Sequence, residues 1–105
     1  MEKELLTICK SYANDLNQMY DQVQNEELDF AEWLEENVLD IEITSNLRKD
    51  YISASLCLGY GGPNVYINTR NGYIEGYWGG DSAQYPLEKE VWDFIDDEME
   101  LYWSE

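Results

Sequence analysis

The stretch Pro86–Trp103, PLEKEVWDFIDDEMELYW, reads as one amphipathic helix whose two sides differ sharply. At about 100° per residue, Val91, Trp92, Ile95, Met99 and Tyr102 gather on one side. Glu90, Asp93, Asp97 and Glu100 gather opposite them, with Asp96 on the flank. Lys89 is the one positive charge in the segment. The apolar stripe needs a core to pack on. The acidic side repeats one sign of charge at i, i+3, i+4 spacing, where like charges repel and weaken a helix. Folding gains nothing from that row, so it is the first candidate for function.

The remainder of the chain supplies the body for this helix. Over residues 3–24, Leu5, Cys9, Tyr12, Leu16, Met19 and Val23 recur at helical spacing, with Ile8 alongside. Asp29 is a candidate cap for a second, short helix, with Glu32 three residues on. In it Phe30, Ala31, Leu34 and Val38 face inward, with Trp33 at the stripe's edge, and Asp29, Glu32 and Glu36 face out. The period then changes to two. Ile41 and Ile43 alternate with Asp40, Glu42 and Thr44. Over Tyr51–Tyr60, Ile52, Ala54, Leu56 and Leu58 fall on one face and Tyr51, Ser53, Ser55 and Cys57 on the other. Gly59–Pro63 breaks the chain, and Asn71-Gly72 signals a hairpin between Asn64–Thr69 and Tyr73–Trp78. Gly79–Tyr85 reads as a loop, with Pro86 in the first turn of the last helix. The expectation is a single α+β domain over residues 1–105. It has an antiparallel meander of three to four strands, with two N-terminal helices and one C-terminal helix covering one face.

Hydrophobic residues make up 44% of the chain, enough for a real core, so the acidity does not mark a disordered tail. With 23 acids against 6 bases, the formal charge is −17. That excludes electrostatic binding to nucleic acid or to an anionic membrane, and favours a basic partner. No Lys or Arg occurs between Ser11 and Leu47, and eight acids lie between Glu26 and Glu42. This is a second acidic block, in which Glu32, Glu35 and Glu36 are the candidate contacts.

Catalysis has little support. The chain has no histidine, which removes the commonest general base and metal ligand. Asp96-Asp97 is a paired carboxylate on an exposed side with no cavity implied. EF-hand spacing, a phosphate loop and Cys-x-x-Cys are all missing, so no catalytic residue, metal or cofactor is expected. Cys9 and Cys57 read as reduced thiols of a cytosolic protein. Neither a signal peptide nor a membrane span is expected. A face carrying Tyr51, Tyr66, Tyr73 and Tyr77 suits protein contacts or pairing with a second copy of the chain, and equally suits cross-strand tyrosine pairs on a solvated face.

Carboxylates at i, i+3, i+4 stand about 5–6 Å apart, comparable with successive phosphates of one strand. Such a helix is about 27 Å long. A rigid body carrying these rows suits a cationic groove, where Asp and Glu replace phosphate oxygens in charge-assisted pairs, while the same rows also fit the solvated faces of a merely soluble acidic protein.

At GGPNVYINTRNGYIEGYWGG (Gly61–Gly80), followed by YPLEKEVWDFIDDEMELYW, the chain resembles small acidic accessory proteins of phages and mobile elements of gut bacteria. That group includes anti-CRISPR and anti-restriction proteins. The likeness covers about the second half of the chain, with Leu39–Thr44 as an extension. Size, acidity and the lack of an enzyme signature are also similar to anti-CRISPR inhibitors of type II RNA-guided nucleases. The resemblance implies a host-defence inhibitor in the bacterial cytoplasm that binds a CRISPR nuclease as a DNA mimic. It carries over no site residue. The expected contacts are Glu90, Asp93, Asp96, Asp97 and Glu100, supported by Glu32, Glu35 and Glu36. An immunity protein that neutralises a basic toxin meets the same charge requirement.

Overall fold

A computed structural model describes residues 2–105. The order is α1 (Glu2–Gln24), α2 (Phe30–Asn37), β1 (Asp40–Ser45), β2 (Tyr51–Gly59), β3 (Asn64–Asn68), β4 (Tyr73–Trp78), β5 (Asp81–Pro86) and α3 (Lys89–Ser104). The strands form one antiparallel sheet in chain order, β1-β2-β3-β4-β5. α1 crosses β4 and β5, and α3 packs against β2 and α1. α2 joins them through Phe30, whose ring meets Phe94 edge-on at 5.1 Å.

The core lies between the sheet and these helices. Leu5, Cys9, Leu16 and Met19 come from α1, Leu56, Ile67 and Ile74 from the central strands, and Val91, Ile95 and Met99 from α3. Gly76 lets α1 approach β4 closely, since a Cβ there would stand 2.8 Å from Cys9 Sγ. Asp29 caps α2 as its sequence position implies, accepting from Ala31 N–H at 3.1 Å. Ala31, however, is exposed rather than inward-facing.

Four further expectations need correction. The sheet has five strands, not three to four. Asp81–Pro86, read as part of a loop, pairs with β4 across a two-residue connection in which Gly79 takes φ 59°. Ala83 and Tyr85 turn toward the helices from this edge strand, and the remaining residues are too polar to signal it.

Pro86 therefore ends β5 instead of opening α3, an edge position that proline tolerates. Leu87 is buried and donates its N–H to Gly72 O at 2.8 Å, so α3 begins two residues later.

The third correction concerns Tyr51 and Ile52. Thr44 pairs with Ser53 but Ser45 pairs with Tyr51, so a bulge absorbs Ile52. The extra residue reverses the alternation. Ile52 is 44% exposed, and Tyr51 turns to the helix side, where its hydroxyl reaches α3.

Tyr102 is the fourth. It shares the helical stripe of Ile95 and Met99 but is 54% exposed, because it lies at the edge of the open depression it lines with Ala31 and Leu34.

Candidate protein-docking surface

The outer side of α3 exposes Glu90, Asp93, Asp97 and Glu100 in one row. Lys89 Nζ reaches Asp93 Oδ2 at 2.8 Å, an exposed i,i+4 pair that offsets little of the charge. Asp93 holds the Lys89 ammonium above its ordinary pKa, through a hydrogen bond and its charge. At helical rise the 16 residues of α3 extend about 24 Å.

Asp96 does not belong to that row. It is half-buried, and its Oδ1 accepts from the Tyr51 hydroxyl at 2.6 Å. The same hydroxyl lies 3.2 Å from Thr69 Oγ1, which accepts from Ala54 N–H at 2.8 Å. Thr69 O also accepts from Trp92 Nε1 at 2.6 Å. These bonds fasten α3 to the β3–β4 turn. Burial first, then the Asp96 acceptor, raise the Tyr51 phenol well above its usual range. Asp96 is thus occupied in holding the fold.

Glu32, Glu35 and Glu36 of α2 are all exposed. Glu32 and Glu35 overlook a depression of about 630 Å³ floored by Leu34, Val38, Ile41 and Tyr102. Glu36 turns to a smaller one of about 290 Å³ beside Tyr12 and Trp33. A third, of about 400 Å³, shares Ala31, Leu34 and Tyr102 with the first, so the two adjoin. Asp29 and Glu98 stand over its Val23, Leu28 and Leu101. Acidic side chains of α2 and of the α3 end, far apart in sequence, thus border adjoining apolar depressions, while Glu90, Asp93, Asp97 and Glu100 line neither.

That groove is what the sequence reading missed. Leu39 and Leu101 are 64% and 58% exposed, beyond what either helical stripe can bury. The run Leu101-Tyr102-Trp103 held the signal, since three consecutive apolar residues cannot share one side of a helix.

The sheet's other face carries Tyr66, Tyr73 and Tyr77, but not Tyr51. Tyr66 and Tyr77 meet edge-to-face at 6.1 Å. They border a shallow depression with Asp40, Glu42 and Glu75. Glu75 Oε2 accepts long hydrogen bonds from Asn71 at 3.3 Å and Gln84 at 3.4 Å. Burial raises the Tyr66 and Tyr77 phenols, with nearby acidic groups adding to it.

No protein-family model, curated protein or solved structure matches this chain.

Among the described residues, no group of three or more His, Cys, Asp or Glu side chains is arranged to hold a metal ion. No helix among them is long and apolar enough to cross a membrane. Cys9 and Cys57 are both free and buried, and burial raises the Cys9 thiol. The prominent features of the surface are the carboxylate row of α3 and, apart from it, the acid-rimmed apolar depressions beside α2.

Proposed function

We propose that this chain is a host-defence inhibitor that presents carboxylates to a basic nucleic-acid-binding protein in place of phosphates. The observation that carries the reading is the exposed row Glu90, Asp93, Asp97 and Glu100, with one ion pair along it, that of Lys89 with Asp93. A rigid row of this kind suits a positively charged nucleic-acid channel, and electrostatic steering speeds its capture. The resemblance of the second half of the chain to small acidic accessory proteins, a group that includes anti-CRISPR proteins, makes a type II RNA-guided nuclease the target to test first. Such an enzyme reads a short DNA motif with arginines and holds its heteroduplex in a basic channel. The inhibitor blocks target-DNA binding by occupying that channel. It acts stoichiometrically and performs no catalysis.

The test is a DNA-cleavage assay with a type II RNA-guided nuclease. The parent chain is expected to inhibit, and the variant Glu90→Gln/Asp93→Asn/Asp97→Asn/Glu100→Gln to fail while remaining folded. Equal inhibition by parent and variant would end the mimicry reading. Inhibition is also expected to weaken steeply with salt, as exposed charges do.

A second reading is favoured by the apolar groove. Imitation of phosphates needs no hydrophobic anchors, whereas an immunity protein gripping a basic toxin uses them. Under that reading, neutralising the α3 row slows association but leaves a tight complex.

A further inference from the structure

The groove between α2, the start of β1 and the last turn of α3 has no part in an imitation of phosphates, yet Leu34, Val38, Ile41 and Tyr102 give it an apolar floor. Two adjoining depressions of about 630 Å³ and 400 Å³ are both lined by Ala31, Leu34 and Tyr102. Around them Leu39, Leu101 and Tyr102 are more than half exposed. Large apolar side chains exposed together in a concavity, rather than singly, mark an interaction site. The rim is of one sign. Glu32 and Glu35 stand on α2, Asp40 opens β1, and Glu98 and Glu105 stand at the α3 end. No Lys or Arg lines either depression.

We infer that this groove docks an amphipathic basic segment of a partner protein, whose apolar side chains fill the floor while flanking Lys and Arg meet the rim. Charge decides among possible occupants. A second copy of this chain would bring its own acidic rim against the first, and like charges facing across an interface are costly. An anionic lipid surface is repelled for the same reason. A basic amphipathic segment meets both demands, because it desolvates Leu39 and Tyr102 and pairs with the rim carboxylates. Apolar anchors set how long the complex lasts, and the rim sets how fast it forms. The inference extends the proposed function to residues that the α3 row does not include, and it holds for any basic partner.

The probe is a fluorescent amphipathic Leu/Lys peptide of about five helical turns. Its controls are a scrambled peptide of the same composition and a Leu/Glu counterpart. The parent chain is expected to bind the Leu/Lys peptide at least about tenfold more tightly than the scrambled one, and the Leu/Glu peptide not at all. Leu39→Ser/Tyr102→Ser is expected to weaken binding by about tenfold or more. The α3-row variant is expected to keep its affinity within about threefold. Both positions are more than half exposed, so the double variant keeps its fold. Should it not, amide shifts of the parent on peptide addition carry the test, and they are expected at Ala31, Leu34, Leu39 and Tyr102. Equal binding of ordered and scrambled peptides would overturn the inference, since charge alone would then suffice. So would shifts confined to the sheet's tyrosine face. Concentration-dependent dimers that the peptide disperses would also overturn it, by assigning the groove to a second copy. A failed nuclease assay with a successful peptide experiment removes the mimicry reading alone, and the reverse removes only the groove.

Discussion

The two ends of α3 share one periodicity and meet opposite surroundings. Val91, Ile95 and Met99 are almost wholly buried between the sheet and α1. Tyr102, next on the same stripe, is 54% exposed, and Leu101 beside it is 58% exposed. Helical spacing alone ranks Tyr102 with Ile95. What separates them is the cover each receives, complete over Met99 and partial over Tyr102, which borders an open depression beside Ala31 and Leu34. An apolar stripe longer than the surface it packs on leaves apolar side chains at the surface. A similar contrast runs across the helix, where Asp96 is fastened to Tyr51 and its neighbour Asp97 stands in solvent.

The sharpest way to break this comparison is to truncate both ends equally. Ile95→Ala is expected to cost about 2–5 kcal/mol in urea unfolding, as a fully buried aliphatic residue does. Tyr102→Ala is expected to cost about 0.5 kcal/mol or less, as an exposed residue does. Similar losses at both positions would mean that the last turn is packed as tightly as the middle.

Gly72→Ala tests how α3 is seated at its beginning. Gly72 takes φ 76°, and a Cβ there would collide with the Trp92 ring. Strain and overpacking together are expected to cost about 2–4 kcal/mol, with loss of Trp92 fluorescence shielding.

Across the helix, Tyr51→Phe is expected to cost about 1–2 kcal/mol, since it strands a half-buried carboxylate acceptor. Neutralising Asp97 by contrast should leave stability unchanged or slightly raised. The Tyr51 phenol titrates higher in the folded chain than in the unfolded one. Its contribution is therefore complete below about pH 10 and is lost as the pH rises beyond it. Stability measured across the alkaline range is expected to fall more steeply for the parent than for Tyr51→Phe.

The smallest effect on folding belongs to the outer row. Removing the charges of Glu90, Asp93, Asp97 and Glu100 relieves repulsions worth about 0.2–0.5 kcal/mol each and gives up the Lys89–Asp93 pair. Thermal unfolding at low salt is expected to show the variant at or slightly above the parent, with the gap closing as salt is added. A large loss would show that the row supports the fold.

Much of the architecture was legible in the chain itself. α1, the Asp29 cap, β1 to β4 and the meander order all follow from spacing and turn residues. β5 escaped because DSAQYP has little apolar alternation and ends in proline. It is a strand because β4 offers it a partner and α1 covers Ala83 and Tyr85. Tyr51 was placed on the wrong face because one bulged residue inverts a period-two pattern and leaves no trace in composition. Of the candidate contacts, Glu90, Asp93, Asp97, Glu100, Glu32, Glu35 and Glu36 are exposed, and Asp96 is engaged within the fold.

Local periodicity by itself determined which side chains share a side of a helix, because 3.6 residues per turn is a property of the backbone. It therefore set the acidic row of α3 and the apolar stripe behind it. Packing in three dimensions set where that stripe stops being covered, and brought Glu32 and Glu98, remote in sequence, to adjoining depressions that share Tyr102. Those outcomes depend on how far the sheet and α2 extend beneath a helix end, and a one-dimensional pattern carries no information about reach.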